Sequence, residues 1–206
     1  MNESNRQPSK HYELAAGLVL PGVFGAELVF YFQILTHDLA THFDGQPLSW
    51  LVLKYGLGLW FVLYVCTSFM VTVTNTDRAA YDWRGFWMDV AESAVSFIAL
   101  AFLGFVDIEV THAYLQKPEI PLTVAFAGIF LIAVGGALHS SARHHRKVTR
   151  ARWIGGAAGL AMFLLLTIGG LVGPLTREVV VICADLALVA CVVALGSYFA
   201  GRWAKA

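Results

Sequence analysis

Six long apolar stretches follow one another along the chain, separated by short polar segments. They cover Leu14–Leu35, Leu48–Val73, Phe86–Val106, Ile120–Leu138, Trp153–Val172 and Val179–Ala200. A helix needs about 18 or more apolar residues to cross roughly 30 Å of hydrocarbon. None of these stretches alternates between apolar and polar residues, as the strands of a membrane β-barrel do. The pattern therefore predicts an all-α, polytopic integral membrane protein that forms a bundle of six transmembrane helices.

The composition agrees with this fold class. Of the 206 residues, 58% are hydrophobic and only 14% are charged, and the mean hydropathy is +0.66. Soluble domains carry about 25% charged residues, so the chain is not typical of one. A formal net charge of zero gives no general attraction to nucleic acid. We expect a leader over residues 1–13, one membrane domain over residues 14–201 and a tail over residues 202–206.

The lysines and arginines predict an orientation for the bundle. Eleven of the 14 fall on one side of the predicted spans. Such basic loops are retained in the cytoplasm, so both termini are expected to be cytoplasmic. A bacterial inner membrane is the simplest setting. The segment between the fourth and fifth spans is the most basic and is expected to contact anionic lipid headgroups through Arg143, Arg146, Lys147, Arg150 and Arg152.

Three carboxylates lie inside the predicted spans, where charges are costly and usually functional. They are Glu27 in the first span, Glu92 in the third and Asp185 in the last. Pro21 precedes Glu27, so one interpretation is a broken helix that presents the carboxylate to a substrate or ion. The other is a protonated Glu27 that hydrogen-bonds to a neighbouring helix, because burial disfavours the charged form. The sequence leaves both open.

Two segments on the opposite side of the membrane collect possible metal ligands. They follow the first span and the end of the third, and they contain His37, Asp38, His42, Asp44, Asp107, Glu109 and His112. Imidazole and carboxylate groups together suit Zn, Mn, Fe or Cu. The alternative is a set of ordinary hydrated loop residues, with no cofactor bound.

Three stretches resemble a known family. The stretch F-L-G-F-V-D-I-E-V-T-H, Phe102 to His112, resembles the F-x-G-x-x-x-x-E-x-x-H pattern of haem–copper oxidase subunit III and its nitric oxide reductase relatives. The stretch F-G-A-E-L-V-F-Y-F of the first span is similar to that family's helix with an embedded carboxylate, which would be Glu27 here. The T-S-F of the second span, Thr67 to Phe69, stands where the family often has serines.

The resemblance covers about half of the chain. It implies a non-catalytic subunit of a respiratory oxidase-type complex, which carries no haem or copper and holds lipid between its helices. Its partners would be membrane lipids and other integral membrane subunits, or a second copy of the chain. Glu27, Glu109 and His112 would then be structural or proton-linked anchors.

Three functions remain open from the sequence. There is no P-loop, dinucleotide fingerprint or nucleophile elbow, so no catalytic activity of its own is expected. The first function is the membrane subunit that the resemblance implies. The second is a small secondary transporter or channel that uses Glu27 and Asp185, and the third is a metal-binding protein that uses the outer histidines.

Overall fold

The protein is a bundle of long helices. The computed structural model describes residues 9–40, 48–75, 81–105, 119–141, 146–172 and 177–203, and within these ranges it contains no strand. Six helices in these ranges are long and apolar enough to cross a membrane. The predicted all-α class and the six spans are therefore confirmed.

The helices extend beyond the predicted apolar stretches, because their polar ends continue outside the apolar part. The helix of the fifth span, for example, begins at Arg146, and its predicted stretch begins at Trp153. In chain order the elements are α1 (Lys10–Leu14), a π-helical turn (Ala15–Val19), α2 (Leu20–Ala40), α3 (Leu48–Asn75), α4 (Trp83–Phe105), α5 (Glu119–Ser141), α6 (Arg146–Val172) and α7 (Arg177–Trp203).

The first span is one continuous helix from α1 through α2. Ser9 caps its start by accepting a 3.1 Å hydrogen bond from the backbone N–H of Tyr12. In the π-helical turn, the N–H of Leu20 donates to the carbonyl of Ala15, five residues earlier. Pro21 follows immediately and has no N–H to donate, and a wide turn is one way in which a helix accommodates such a residue. The chain thus passes Pro21 without a break in the helix.

α3 lies at the centre of the bundle. It packs against α2, α4 and α7, while α4 packs on α5, α5 on α6, and α6 on α7. The core between these helices is apolar and includes Leu57, Phe61 and Phe126. α5 and α6 approach closely at Gly159, where an added β-carbon would lie 3.0 Å from the backbone of Phe126 and Phe130. Small residues allow such contacts between membrane helices.

The helices run alternately up and down. At one end, Ser9 donates a 2.6 Å hydrogen bond to the carbonyl of Tyr81, so the start of the first span lies beside the start of α4. At the other end, Asp38 near the end of α2 lies beside Lys54 near the start of α3. We call these the Arg152 end, after the arginine near the start of α6, and the Lys54 end.

The outer surface of the bundle is apolar. Large apolar side chains stand exposed on several helices, among them Leu18 and Val29 on the first span and Leu186 on α7. Large exposed apolar surfaces on a folded chain mark contact with lipid or with another protein. This surface agrees with an integral membrane protein.

Candidate functional site

A buried ion pair joins α4 and α6 near the Arg152 end. Arg152 Nη1 lies 3.4 Å from Glu92 Oε1, and both side chains are close to fully buried. Arg152 Nε is also buried and finds no hydrogen-bond partner among the described residues. Two opposite charges at membrane depth largely cancel, which is how intramembrane charges are usually tolerated. The pair therefore places a neutral but strongly polar group in the apolar core.

Two tyrosines complete this cluster from α3 and α7. Tyr64 donates its hydroxyl hydrogen to Glu92 Oε2. Arg152 Nη2 lies 3.3 Å from the Tyr198 hydroxyl, and the Arg152 guanidinium carbon lies 4.8 Å from the centre of the Tyr198 ring. A cation over an aromatic face is attracted by the ring quadrupole. Four helices therefore meet around one guanidinium group.

A second acid, Asp89, lies half-buried one turn before Glu92 on α4. The hydroxyl of Tyr81 donates a 2.6 Å hydrogen bond to Asp89 Oδ2, and Thr72 Oγ1 of α3 lies 3.4 Å from the same oxygen. Side chains three residues apart lie on the same face of a helix. Asp89 and Glu92 thus form one polar strip that leads inward from the Arg152 end.

Glu27 lies near the middle of the first span, Lys10–Ala40, and has no exposed surface. Neither carboxylate oxygen has a hydrogen-bond partner among the described residues. Its polar neighbour is Ser96 on α4, whose buried hydroxyl is also left without a hydrogen bond of ordinary geometry in the described part of the chain. A buried polar group without a partner costs about 1–3 kcal/mol, so such a group is usually kept for a function.

A second buried ion pair occupies the Lys54 end. Lys54 Nζ lies 2.9 Å from Asp38 Oδ2, and both side chains are almost fully buried. Tyr55 donates its hydroxyl hydrogen to the same carboxylate oxygen. Tyr31, one turn after Glu27, donates a 3.4 Å hydrogen bond to the backbone carbonyl of Tyr55. This buried ion pair lies at the end of the bundle opposite to that of Arg152.

These groups lie at intervals along the bundle from the Arg152 end to the Lys54 end. We call them the polar line: Asp89, Glu92, Ser96, Glu27, Tyr31, Asp38 and Lys54. Asp89, Glu92 and Ser96 share a face of α4, and Glu27 and Tyr31 continue on the facing side of α2 toward Asp38 and Lys54. At a rise of 1.5 Å per residue, the helix register gives the line a length of roughly 27 Å. That length is close to the roughly 30 Å thickness of the hydrocarbon layer.

A cavity lies beside the polar line, between α3, α5, α6 and α7. Its volume is about 30 Å³, and its walls include Trp60, Tyr64, Ile129, Arg152, Cys191 and Tyr198. We call it the Arg152 cavity. The ring of Trp60 stacks on that of Tyr64 at 5.4 Å between centroids, and Trp60 Nε1 donates a 3.1 Å hydrogen bond to the carbonyl of Cys191.

Asp185 is placed away from the polar line. It lies half-buried on α7, with no ion pair to another described residue. α7 packs against α3 and α6, whereas Glu27 belongs to α2, which packs against α3 and α4. The structure therefore does not bring the predicted transport pair, Glu27 and Asp185, into one site.

The outer-face candidates are separated from one another where they are described. His37 is exposed, and Asp38 is turned into the bundle toward Lys54. In the described ranges, no group of three or more His, Cys, Asp or Glu side chains could hold a metal. The other candidates lie outside the described residues: His42, Asp44, Asp107, Glu109 and His112.

One of the basic residues differs from its expected position. Arg152 was expected at the lipid headgroups, but its side chain turns into the bundle and pairs with Glu92. Arg150, two residues earlier, is exposed. Arg146 and Lys147 belong to the first turn of α6, and Arg143 lies outside the described residues.

Several residues in or beside the polar line could not be recognised as functional candidates from the sequence. Tyr55 and Tyr64 read as ordinary aromatic residues of an apolar span, and Lys54 stands where a lysine could equally reach out to the interface. For the polar residues of α4 other than Glu92, the spacing was a usable signal. Asp89, Glu92 and Ser96 recur every three or four residues and so mark one face of the helix.

Comparisons with known proteins do not relate this chain to a family. The chain matches no model of a protein family, no curated protein and no solved structure.

Proposed function

We propose that this protein moves protons across the membrane along the polar line, as a small proton-coupled transporter or proton channel. The observation that carries the proposal is the position of Glu27. It is fully buried near the middle of the first span, its carboxylate lacks a hydrogen bond within the described residues, and buried acids lie toward both ends. Chains of buried acids are the usual form of proton relays in membrane transport proteins.

The two ends of the line have the groups that a relay needs. Asp89 and Glu92 would exchange protons with one side, and Asp38 with the other. Each of these carboxylates accepts a hydrogen bond from a tyrosine hydroxyl, so a hydroxyl group that can pass a proton lies beside each of them. Glu27 would pass the proton between them. The steps beside Glu27 lack a direct hydrogen bond, so water must bridge them during transfer.

Proton flux into liposomes tests this proposal. The purified protein is reconstituted with a pH-sensitive dye inside the vesicles, and a potassium diffusion potential drives protons inward. The wild type is expected to acidify the lumen faster than empty vesicles do, and Glu27→Gln to slow this by about tenfold or more, since an amide cannot carry the proton.

A matched control is available on the same span. Glu13 is exposed in α1, so Glu13→Gln should leave the flux unchanged. A wild-type rate equal to that of empty vesicles, or a Glu27→Gln rate equal to that of the wild type, would rule the proposal out.

A second candidate is the non-catalytic subunit of a larger, respiratory oxidase-type membrane complex. This candidate is supported by the exposure of the first span. Only 11% of the residues in its most apolar part are buried, against 56% in the most apolar part of the second span. Gly17, Gly22 and Gly25 face open space, where an added β-carbon would meet no atom within 4 Å. Small residues on an open face allow a helix of another membrane protein to approach closely.

Mild solubilisation tests the subunit function. The chain is expected to co-purify with a larger membrane protein, and Gly22→Leu should weaken that association. Gly196→Leu is the matched control, because Gly196 also faces open space but lies on α7. A monodisperse protein that leaves the native membrane alone would contradict this second function.

A further inference from the structure

We propose that Arg152 gates the polar line by exchanging places with a proton between Glu92 and Asp89. The guanidinium is paired with Glu92 in the structure, an arrangement that we call the closed state. A fixed positive charge in a narrow pathway excludes protons. The line opens when the guanidinium moves one helical turn outward to Asp89 while the proton of Asp89 moves inward to Glu92. This gate rests on the proposed proton function, because it controls the same pathway.

The contact between Arg152 and Glu92 is long for an ion pair. The distance from Nη1 to Oε1 is 3.4 Å, whereas a charge-assisted hydrogen bond between nitrogen and oxygen measures about 2.7–2.9 Å. The Nη2 atom lies 3.3 Å from the Tyr198 hydroxyl, and Nε has no hydrogen-bond partner among the described residues. The guanidinium is therefore buried but held only by long contacts, so little hydrogen-bond energy opposes its move to another acceptor.

Asp89 provides the second position for the guanidinium. It lies three residues before Glu92 on the same face of α4, and so one turn closer to the Arg152 end. Asp89 lies within electrostatic range of Arg152, and no ion pair joins it to another of the described residues. An arginine side chain is long enough to shift its charged head over one turn of a helix, about 5.4 Å. Asp89 is also half-buried, so it can take up a proton at this end.

The exchange keeps the charge of the cluster constant. One positive charge lies beside two acids, so only one of the acids is compensated at a time. In the closed state Glu92 is ionised and Asp89 takes up the proton. In the open state Asp89 is ionised and Glu92 holds the proton, while Arg152 remains charged and Tyr64 and Tyr198 remain neutral hydroxyl groups. One proton has then moved inward by one turn, and no buried charge is left uncompensated.

Unfilled space lies beside the side chains that hold the guanidinium. The Arg152 cavity has a volume of about 30 Å³, and its walls include Arg152, Tyr64 and Tyr198. Protein interiors contain few voids larger than a water molecule, so most buried side chains have no room to change position. The two tyrosines can shift into this space as the guanidinium moves.

Proton flux into liposomes tests the gate. Arg152→Gln removes the positive charge, and Gly136→Ala displaces the guanidinium while both charges remain, because the added β-carbon would lie 1.1 Å from Nη1. Each variant is expected to conduct about tenfold faster than the wild type, since no positive charge then opposes the entering proton. Arg150→Gln is the matched control, because Arg150 is exposed on the same helix, and its flux should equal that of the wild type.

A further substitution shows whether the faster protons use the polar line. Adding Glu27→Gln to Arg152→Gln or to Gly136→Ala should abolish the gain, whereas a leak through a damaged bundle would persist. A gain that survives Glu27→Gln would overturn the gate, and so would a flux that rises in neither Arg152→Gln nor Gly136→Ala.

Infrared spectroscopy follows the two acids without any flux. A protonated carboxyl group absorbs apart from an ionised one, and the bands are assigned by their loss in Asp89→Asn and Glu92→Gln. At mildly acidic pH, the wild type is expected to have Asp89 protonated and Glu92 ionised, and Gly136→Ala the reverse. These bands in a protein that conducts no protons would support the exchange and contradict the proton function. A wild type with Glu92 protonated, whose flux still depends on Glu27, would overturn the gate and leave the proton function standing.

Discussion

The guanidinium of Arg152 lies directly over Gly136 of α5. A β-carbon added at Gly136 would lie 1.1 Å from Arg152 Nη1 and 2.2 Å from its guanidinium carbon, so any other residue there requires the guanidinium to move. The ion pair between α4 and α6 thus depends on the absence of a side chain on a third helix. This relationship could not be seen in the sequence, where Gly136 belongs to an apolar stretch with many small residues.

Gly136→Ala should therefore displace Arg152 and break its contact with Glu92. Both charges remain in this variant, so the cost should be smaller than the loss of about 3–5 kcal/mol on removing one partner, but it should outweigh the gain of up to about 1 kcal/mol from replacing a helical glycine with alanine. We expect a clear loss of unfolding free energy, measured by reversible unfolding in bicelles. Gly196→Ala, where the added carbon meets nothing within 4 Å, should be neutral or slightly stabilising. Equal stability of the two variants would mean that the pair contributes nothing.

The ion pair of Arg152 and Glu92 gives a second prediction. Arg152→Leu leaves Glu92 buried without its counter-charge and should cost about 3–5 kcal/mol of unfolding free energy. The double variant Arg152→Leu, Glu92→Leu should recover most of that loss, because neither charge remains to be solvated. Measuring both single variants and the double variant gives the coupling energy. Additive losses in the double variant would show that Arg152 and Glu92 do not interact.

The six spans could be predicted because length and apolarity are enough to define a transmembrane helix, and the structure has six helices that meet both criteria. Glu27 and Glu92 could be singled out for the same reason, since a carboxylate stands out in an apolar stretch. The partners of Glu92 could not be found in this way. A basic residue near the end of a span either reaches out to headgroups or turns inward, and for Arg152 the space over Gly136 on another helix decides between the two.

The orientation of the bundle gives a third prediction. An even number of spans requires both termini on one side, and the excess of basic residues at the Arg152 end predicts the cytoplasmic side. Fusions of a cytoplasm-active and a periplasm-active reporter to each terminus check this in a bacterial host. Both termini are expected to activate the cytoplasmic reporter. A chain whose two ends report opposite sides would contradict the six-span topology.

The fourth prediction contrasts two buried carboxylates on α2. Asp38 is paired with Lys54 and Tyr55, while Glu27 has no hydrogen-bond partner among the described residues. Asp38→Leu should therefore destabilise the protein by about 3–5 kcal/mol, because it removes the carboxylate that compensates the buried charge of Lys54. Glu27→Leu should instead stabilise it by about 1–3 kcal/mol, because it removes an unsatisfied polar group from the core.

The two substitutions are expected to change the unfolding free energy in opposite directions. A residue that lowers stability where it stands is kept by function, and stabilising substitutions at functional sites typically reduce activity. Glu27→Leu is thus expected to unfold at a higher temperature than the wild type while losing proton flux into liposomes. If Glu27→Leu instead loses as much unfolding free energy as Asp38→Leu, Glu27 is a structural anchor between α2 and α4, and the polar line has no midpoint through which a proton can pass.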